Sequence, residues 1–245
     1  VWSKKGIKVT TGKNNVDRTN DSVVYVGDKN TDNTDRTSET QGENQSYSVD
    51  VSQLGGMYAE KIHLVDNGQG LGVRNAGHIG ASAGSVKIDS QGKIVNEGVI
   101  NGVDNIHLHT AVATNTGKIE SKQGQIDLNA KSITQDGSVI ARKGNVSLKG
   151  NVVRQKGETV AKGRVDYDAK SIVADKTAFI AAGVNITEDK GKVVRTLDAA
   201  HVAGSGITLK GDNSVTMHGK QVASGNIAVQ GGALNLDGSQ TTGYN

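Results

Sequence analysis

The 245-residue sequence contains no cysteine and no proline. The first absence excludes disulfides, thiolate catalysis and cysteine-ligated zinc together. The second fits a fold in which backbone N–H groups are needed as donors to neighbouring strands. Aromatics make up 3 % of the chain and apolar residues 34 %, so a core must be thin and built from Val, Ile, Leu and Ala. No apolar run approaches the ~18 residues of a spanning helix, and the opening stretch VWSKKGIKVTTGKNN lacks the apolar region of a signal peptide. The chain therefore reads as soluble and as an interior piece of a longer one. A surplus of one charge is also missing: 28 Lys and Arg stand against 25 Asp and Glu, interspersed. No basic stripe of the kind that tracks a phosphate backbone results, and nucleic acid is not expected as a partner.

What the sequence does have is a repeat. The stretch GQIDLNAKSITQDGSVIARKG, Gly124 to Gly144, is followed by GNVSLKGNVVRQKG, which opens in the same way. Apolar–polar–apolar triplets begin at Ile62, Val86, Ile106, Ile126, Val146, Val165, Val184, Ile207 and Ile227. Alternation of this kind marks a half-buried strand, and one strand every ~20 residues means a solenoid. A second signal places Ile or Val just before the turn into the next triplet, as in GKIESKQG and GSVIARKG; a third apolar residue, such as Ile133, Val153, Ile172 or Val215, lies between the two. The expectation is an all-β, right-handed parallel β-helix in which three short strands joined by Gly and Asn turns close each ~20-residue coil. A β-sandwich is the alternative, although its strands seldom keep so regular a step. Residues 13–46, rich in Asn, Asp, Thr and Ser, read as one hydrophilic excursion from the rod, with a short hairpin or edge strand around Val23–Val26.

The stretch LGGMYAEKIHLVDNGQGLGV, Leu54 to Val73, followed by RNAGHIGASAG, closely resembles the end of the secretion domain of filamentous-haemagglutinin-like exoproteins, the large secreted partners of two-partner secretion in Gram-negative bacteria. The residues that carry it are Leu54, Gly55, Gly56, Met57, Tyr58, Ala59, Lys61, Ile62, Gly70, Gly72 and Val73; the repeats after Gly84 resemble the haemagglutinin repeats. The resemblance implies residues 1–80 as the C-terminal part of the secretion domain, carrying the excursion loop 13–46, and residues 81–245 as haemagglutinin-type repeats. It implies export through a dedicated outer-membrane transporter, folding outside the cell, and display at the bacterial surface. The Asn-Pro motifs of that family's mature N-terminus are absent. Activities in the family include adhesion, haemolysis and contact-dependent growth inhibition by a C-terminal toxin.

Four stretches carry residue types suited to chemistry. GASAG, Gly80 to Gly84, matches a nucleophile elbow centred on Ser82, but a strand follows it where the elbow requires a helix. Asp127 and Asp166 share an outward position two coils apart, a separation suited to paired carboxylates acting on glycosides, with Ser147 between them. His107 and His109 lie on one strand face as two zinc ligands would, without an evident third. DKNTDNTDRTSE offers Asp28, Asn30, Asp32 and Glu39 at calcium-loop positions 1, 3, 5 and 12, but with Asn33 in place of the glycine and Asp35 in place of the apolar residue. Each is better explained as a solvated turn or strand face, so no catalytic, cofactor-binding or metal-ligating residue is assigned and no cofactor is expected. The resulting expectation is a monomeric structural and export module of a surface rod, not an enzyme, whose partners are the transporter and a receptor on a host or neighbouring cell. The alternative is a carbohydrate-binding or carbohydrate-active β-helix.

Overall fold

The computed structural model describes residues 1–12, 14–16, 23–25, 47–68, 71–189, 192–197, 205–236 and 240–242. Every helix or strand among them is a strand, and the strands stack in parallel as a solenoid. In the coil that starts at Ile126, the strand Ile126–Gln135 turns inward Ile126, Leu128 and Ala130, then Ile133 and Gln135. The alternation breaks where Lys131 and Ser132 both stay out of the core. Two successive outward residues require the chain to turn a corner there, so one hydrogen-bonded strand lines two faces. Earlier coils show the same two faces as separate strands: Val86–Ser90 and Lys93–Asn96 both pair with Ile106–Asn115. The three short strands expected per coil thus become, from Ile106 onward, one long bent strand and one short one.

Two parallel ladders follow. The sheet of longer strands runs from Gly6–Thr11 through Lys61–Asp66, Val86–Ser90 and Ile106–Asn115 to Ile227–Asn235, nine strands along its main path. The short-strand sheet also has nine, from Gly56–Ala59 through His78–Ala81 and Lys118–Ser121 to Gln240–Thr242. Register stacks like on like: Ile106 over Ile126 over Val146, and Leu108 over Leu128 over Leu148. Branched side chains pack well on such pleated surfaces, and these six are at most 2 % exposed.

The rung count survives, but its membership changes. Val165–Ala174 pairs directly with Ile207–Met217, so the triplet at Val184 is no rung. It opens an antiparallel hairpin, Val184–Asp189 with Lys192–Leu197. The missing rung is Ile7-Lys8-Val9, which stacks on Ile62-His63-Leu64. Of the excursion 13–46, the backbone of Asn14–Val16 pairs antiparallel with Val23–Tyr25, which supplies the expected short hairpin; the remainder lies outside the described residues. The coil resumes at Val49–Val51, paired with Val73–Asn75.

The interior also holds a polar ladder. Asn75 Nδ2 donates to Asn96 Oδ1 (2.8 Å), Asn96 Nδ2 to Asn115 Oδ1 (2.7 Å) and Asn115 Nδ2 to Gln135 Oε1 (2.7 Å). Each amide also caps carbonyls at the adjoining turn, as Gln135 Nε2 does for Glu158 O (2.8 Å). The ladder starts at Asn75, whose Oδ1 has no partner because the rung below offers Val51. The amide-to-amide bonds stop at Gln135; Gln155 stacks on it in register, and the next rungs carry Ala174 and Met217. There the Tyr167 hydroxyl fills the space between Gln155 Oε1 and Thr159 Oγ1. Burial pushes the Tyr167 phenol well above its usual value against those two hydrogen bonds.

Candidate functional site

In each four-residue strand of the short-strand sheet the second and fourth residues enter the core, and the first and third face outward. The register aligns the third positions as Tyr58, Gly80, Asn101, Glu120, Ile140 and Val160. This outer face is graded along the rod: aromatic and polar, then charged, then apolar. The hairpin covers the apolar end. Val184 joins Val160, Ala181 and Val222 in a cluster separate from the main core, with Phe179 and Ile186 packed against it. Polar contacts hold the hairpin down: Lys162 Nζ donates to Asn185 Oδ1 (2.6 Å), Arg195 Nη2 to Glu158 Oε1 (2.6 Å) and Arg142 Nη2 to Glu188 Oε2 (3.3 Å).

The uncovered end forms two adjoining grooves. One, of about 340 Å³, is lined by Trp2, Tyr58, Glu60, His78, Gly80 and Asn101 among others. The other, of about 400 Å³, shares His78 and Asn101 and continues to Lys118, Glu120, Arg142 and Glu188. Tyr58 and His78 meet edge to face, centroids 5.0 Å apart. Asn101 Oδ1 accepts from His78 Nε2, so that nitrogen carries the proton. Glu120 is only 7 % exposed; burial alone would raise its carboxyl, but Lys118 and Arg142 outweigh it and hold the group below its usual range. The site is thus an open groove with a fixed amide, an ionised and doubly paired carboxylate, and exposed rings at one end.

Residues singled out from the sequence lie elsewhere or at its margin. Ser82 lines the first groove from a turn, its Oγ donating to Ala59 O (3.3 Å), and the strand Val86–Ser90 follows. Asp127 and Asp166 do share an outward column with Ser147 between them. Each is occupied: Asp127 pairs with His107 Nδ1 (3.0 Å) and Asp166 with Arg164 Nε (3.1 Å). His109 points instead to Asp89 (3.7 Å), and among the described residues no group of three or more His, Cys, Asp or Glu could hold a metal ion. The loop Asp28 to Glu39 lies outside the described residues. The groove residues lie outside the triplets that mark the coil; aligning GMYA, HIGA, VING and KIES as a column displays Tyr58, His78 and Asn101 on one side.

No protein-family model matches the chain, and no solved structure matches it. Curated proteins do. A 111-residue stretch, 45 % of the chain, is 36 % identical to the protein named Toxin CdiA of Yersinia pestis, of which it covers 3 %. The chain is similar to CdiA proteins. A 54-residue stretch, 22 % of the chain, is 48 % identical to tRNA nuclease CdiA-2 of Burkholderia pseudomallei, covering 2 % of it. A 199-residue stretch, 81 % of the chain, is 27 % identical to the tRNA nuclease CdiA of an Escherichia coli strain, covering 6 % of it. The chain thus spans a few per cent of the length of these relatives. Their names correct two expectations. Similarity to proteins named nucleases overturns the reading that no enzyme is involved, and it withdraws support from the exclusion of nucleic acid. Interspersed charge describes this segment only, and a segment of this size cannot stand for the chemistry of the whole.

Proposed function

We propose that this chain is the β-helical stalk and export segment of a CdiA-type exoprotein that acts in contact-dependent growth inhibition. Residues 1–80 are the end of its secretion domain and residues 81–245 its haemagglutinin-type repeats, joined in one solenoid whose ladders run unbroken through the strand His78–Ala81. The observation that carries this reading is the coincidence of an uninterrupted parallel solenoid with similarity to a CdiA protein over 81 % of the chain. A solenoid suits a stalk because each coil needs only its neighbours, so length is added without a new core. In this reading the protein is secreted to the cell surface through an outer-membrane transporter and engages a receptor on the target cell. The toxin activity, of nuclease type, belongs to the whole protein.

The test replaces the matching stretch of the Escherichia coli relative with these 245 residues. Surface display that requires the transporter, together with inhibition of target cells only on contact, is the expected result. A chimera that accumulates as folded protein but neither reaches the surface nor inhibits would overturn the assignment.

A further inference from the structure

We propose that the uncovered outer face of the short-strand sheet, from Trp2 to Glu120, binds a neutral oligosaccharide laid along the rod axis. Trp2 and Tyr58 are adjacent in register and stay 76 % and 40 % exposed. Such rings offer an apolar surface beside water, on which the C–H face of a pyranose can stack. The next residue in the column is Gly80, which is buried and lets the side chains of Tyr58, His78 and Asn101 close over it. A Cβ there would lie 3.0 Å from Asn101 Oδ1, 3.2 Å from His78 Nε2 and 3.4 Å from Tyr58 Cδ1. Next along the column stands the Asn101 amide, its oxygen anchored by His78 and its nitrogen able to donate to a hydroxyl. Four strand spacings separate Trp2 from Glu120, so the line of contacts is ~19 Å long, enough for a short oligosaccharide.

At its centre the groove favours a neutral ligand. Lys4, Lys118, Lys122 and Arg142 line the two grooves with Glu60, Glu120 and Glu188. The cations at the centre are engaged, because Lys118 and Arg142 both pair with Glu120 and Arg142 also reaches Glu188. A sulfate or carboxylate would have to displace a carboxylate already in place, whereas hydroxyl groups can add to the outer lone pairs of such pairs without breaking them.

Trp2 is the only tryptophan of the chain, so its fluorescence reports on this groove alone. The 245-residue chain is titrated with maltohexaose, cellohexaose, xylohexaose and chitohexaose, and separately with heparin. A saturable change with at least one neutral hexasaccharide is expected, weakened about tenfold by Tyr58→Ala and also by Asn101→Ala and by Gly80→Val, whose side chain would displace Tyr58, His78 and Asn101. Circular dichroism checks that each variant stays folded, and Asp127→Asn on the other sheet should leave binding unchanged. No change with any of the four, a change with heparin alone, or binding indifferent to all three groove variants would overturn the proposal. Because it rests on the groove and not on the CdiA similarity, its failure would leave the stalk assignment standing.

Discussion

Replacing Asn115 by alanine is the sharpest test of what holds the coils in register. Its side chain is 2 % exposed and sits mid-ladder, accepting from Asn96 Nδ2 (2.7 Å) and donating to Gln135 Oε1 (2.7 Å) and Ser138 O (3.3 Å). Truncation removes two good hydrogen bonds, worth about 1 kcal/mol each. The two neighbours then fare differently. Asn96 Nδ2 keeps the Gly98 and Lys118 carbonyls, whereas Gln135 Oε1 loses its donor in a dry interior, which costs a further 1–3 kcal/mol or so. The sum is about 3–5 kcal/mol, a large share of the stability of an ordinary domain. Urea denaturation followed by far-UV circular dichroism would measure it, and amide hydrogen exchange would locate it, with faster exchange expected first in the coils around positions 96 and 135. Asn115→Gln is the control, because Gln already occupies the next two rungs at Gln135 and Gln155; it should cost under about 1 kcal/mol. A loss below about 1 kcal/mol for alanine, or equal losses for alanine and glutamine, would refute the argument that amide chemistry, rather than filled space, sets this corner.

Further outcomes follow from the same geometry. Leu128→Ala, between Leu108 and Leu148, should cost about 2–5 kcal/mol on denaturation, while Asp127→Ala, half-exposed and paired to His107, should stay within about 0.5 kcal/mol. Burial would raise the Asp66 carboxyl, but donors from Ser90, Thr11 and Ser48 and the Gly68 N–H outweigh it and lower it. Its folded value lies below the unfolded ~3.9, so the stability it contributes is present above that pH and is lost as pH falls through the folded value. The melting temperature of the wild type should therefore fall more steeply below about pH 4 than that of Asp66→Asn. Replacing residues 184–204 by Ser-Gly-Ser should keep the strand signal, because Val165–Ala174 pairs directly with Ile207–Met217. It should also raise binding of a hydrophobic dye as Val160 and Val222 become exposed.

The coil was legible in the sequence because its signal is repeated: a half-buried strand every twenty residues leaves little room for another architecture. The false rung at Val184 shows the limit of that reasoning. Val184-Asn185-Ile186 alternates as the rungs do because the hairpin also has a buried side, but that side rests on the outside of the rod, against Val160 and Val222. Alternation reports that one face is buried and is silent on what buries it. The reverse error hid Ile7-Lys8-Val9, whose partner stands 55 residues away across the excursion. The amide ladder was legible in principle as Asn or Gln followed two residues later by Gly, at Asn75, Asn96, Asn115, Gln135 and Gln155. It was passed over because Asn before Gly reads as turn chemistry, and the turn and the buried amide occupy the same corner. The groove on the short-strand sheet was least legible, since it depends on how four separated strands and the Trp2 bridge align and on where the hairpin stops.

The two departures from the coil also explain how a stack that depends on register accepts insertions. Each leaves through a glycine in the left-handed region, Gly12 at φ 94° and Gly183 at φ 68°, a conformation that costs other residues strain. Each returns close to where it left. A Cβ on Gly68 would meet Ser48 Oγ and Gly12 Cα within 3.6 Å, and one on Gly183 would crowd Ser205 Oγ at 2.9 Å. Buried polar clamps close both gaps. Asp66 accepts from Thr11 Oγ1 before the excursion and from Ser48 after it, and from Ser90 Oγ (2.7 Å) one coil on. Ser205 Oγ lies 2.9 Å from Ser224 Oγ. Because the two ends of an insertion are fixed to the same point of the rod, the rungs on either side still pair in parallel, Val165–Ala174 with Ile207–Met217 through one register shift between Ala169 and Ser171. The cost of an inserted segment is then mainly its own closure entropy, which grows only slowly with length. The outer faces can therefore change by insertion at corners while the ladders that set the rod stay in place, and the hairpin that borders the proposed sugar groove is one such addition.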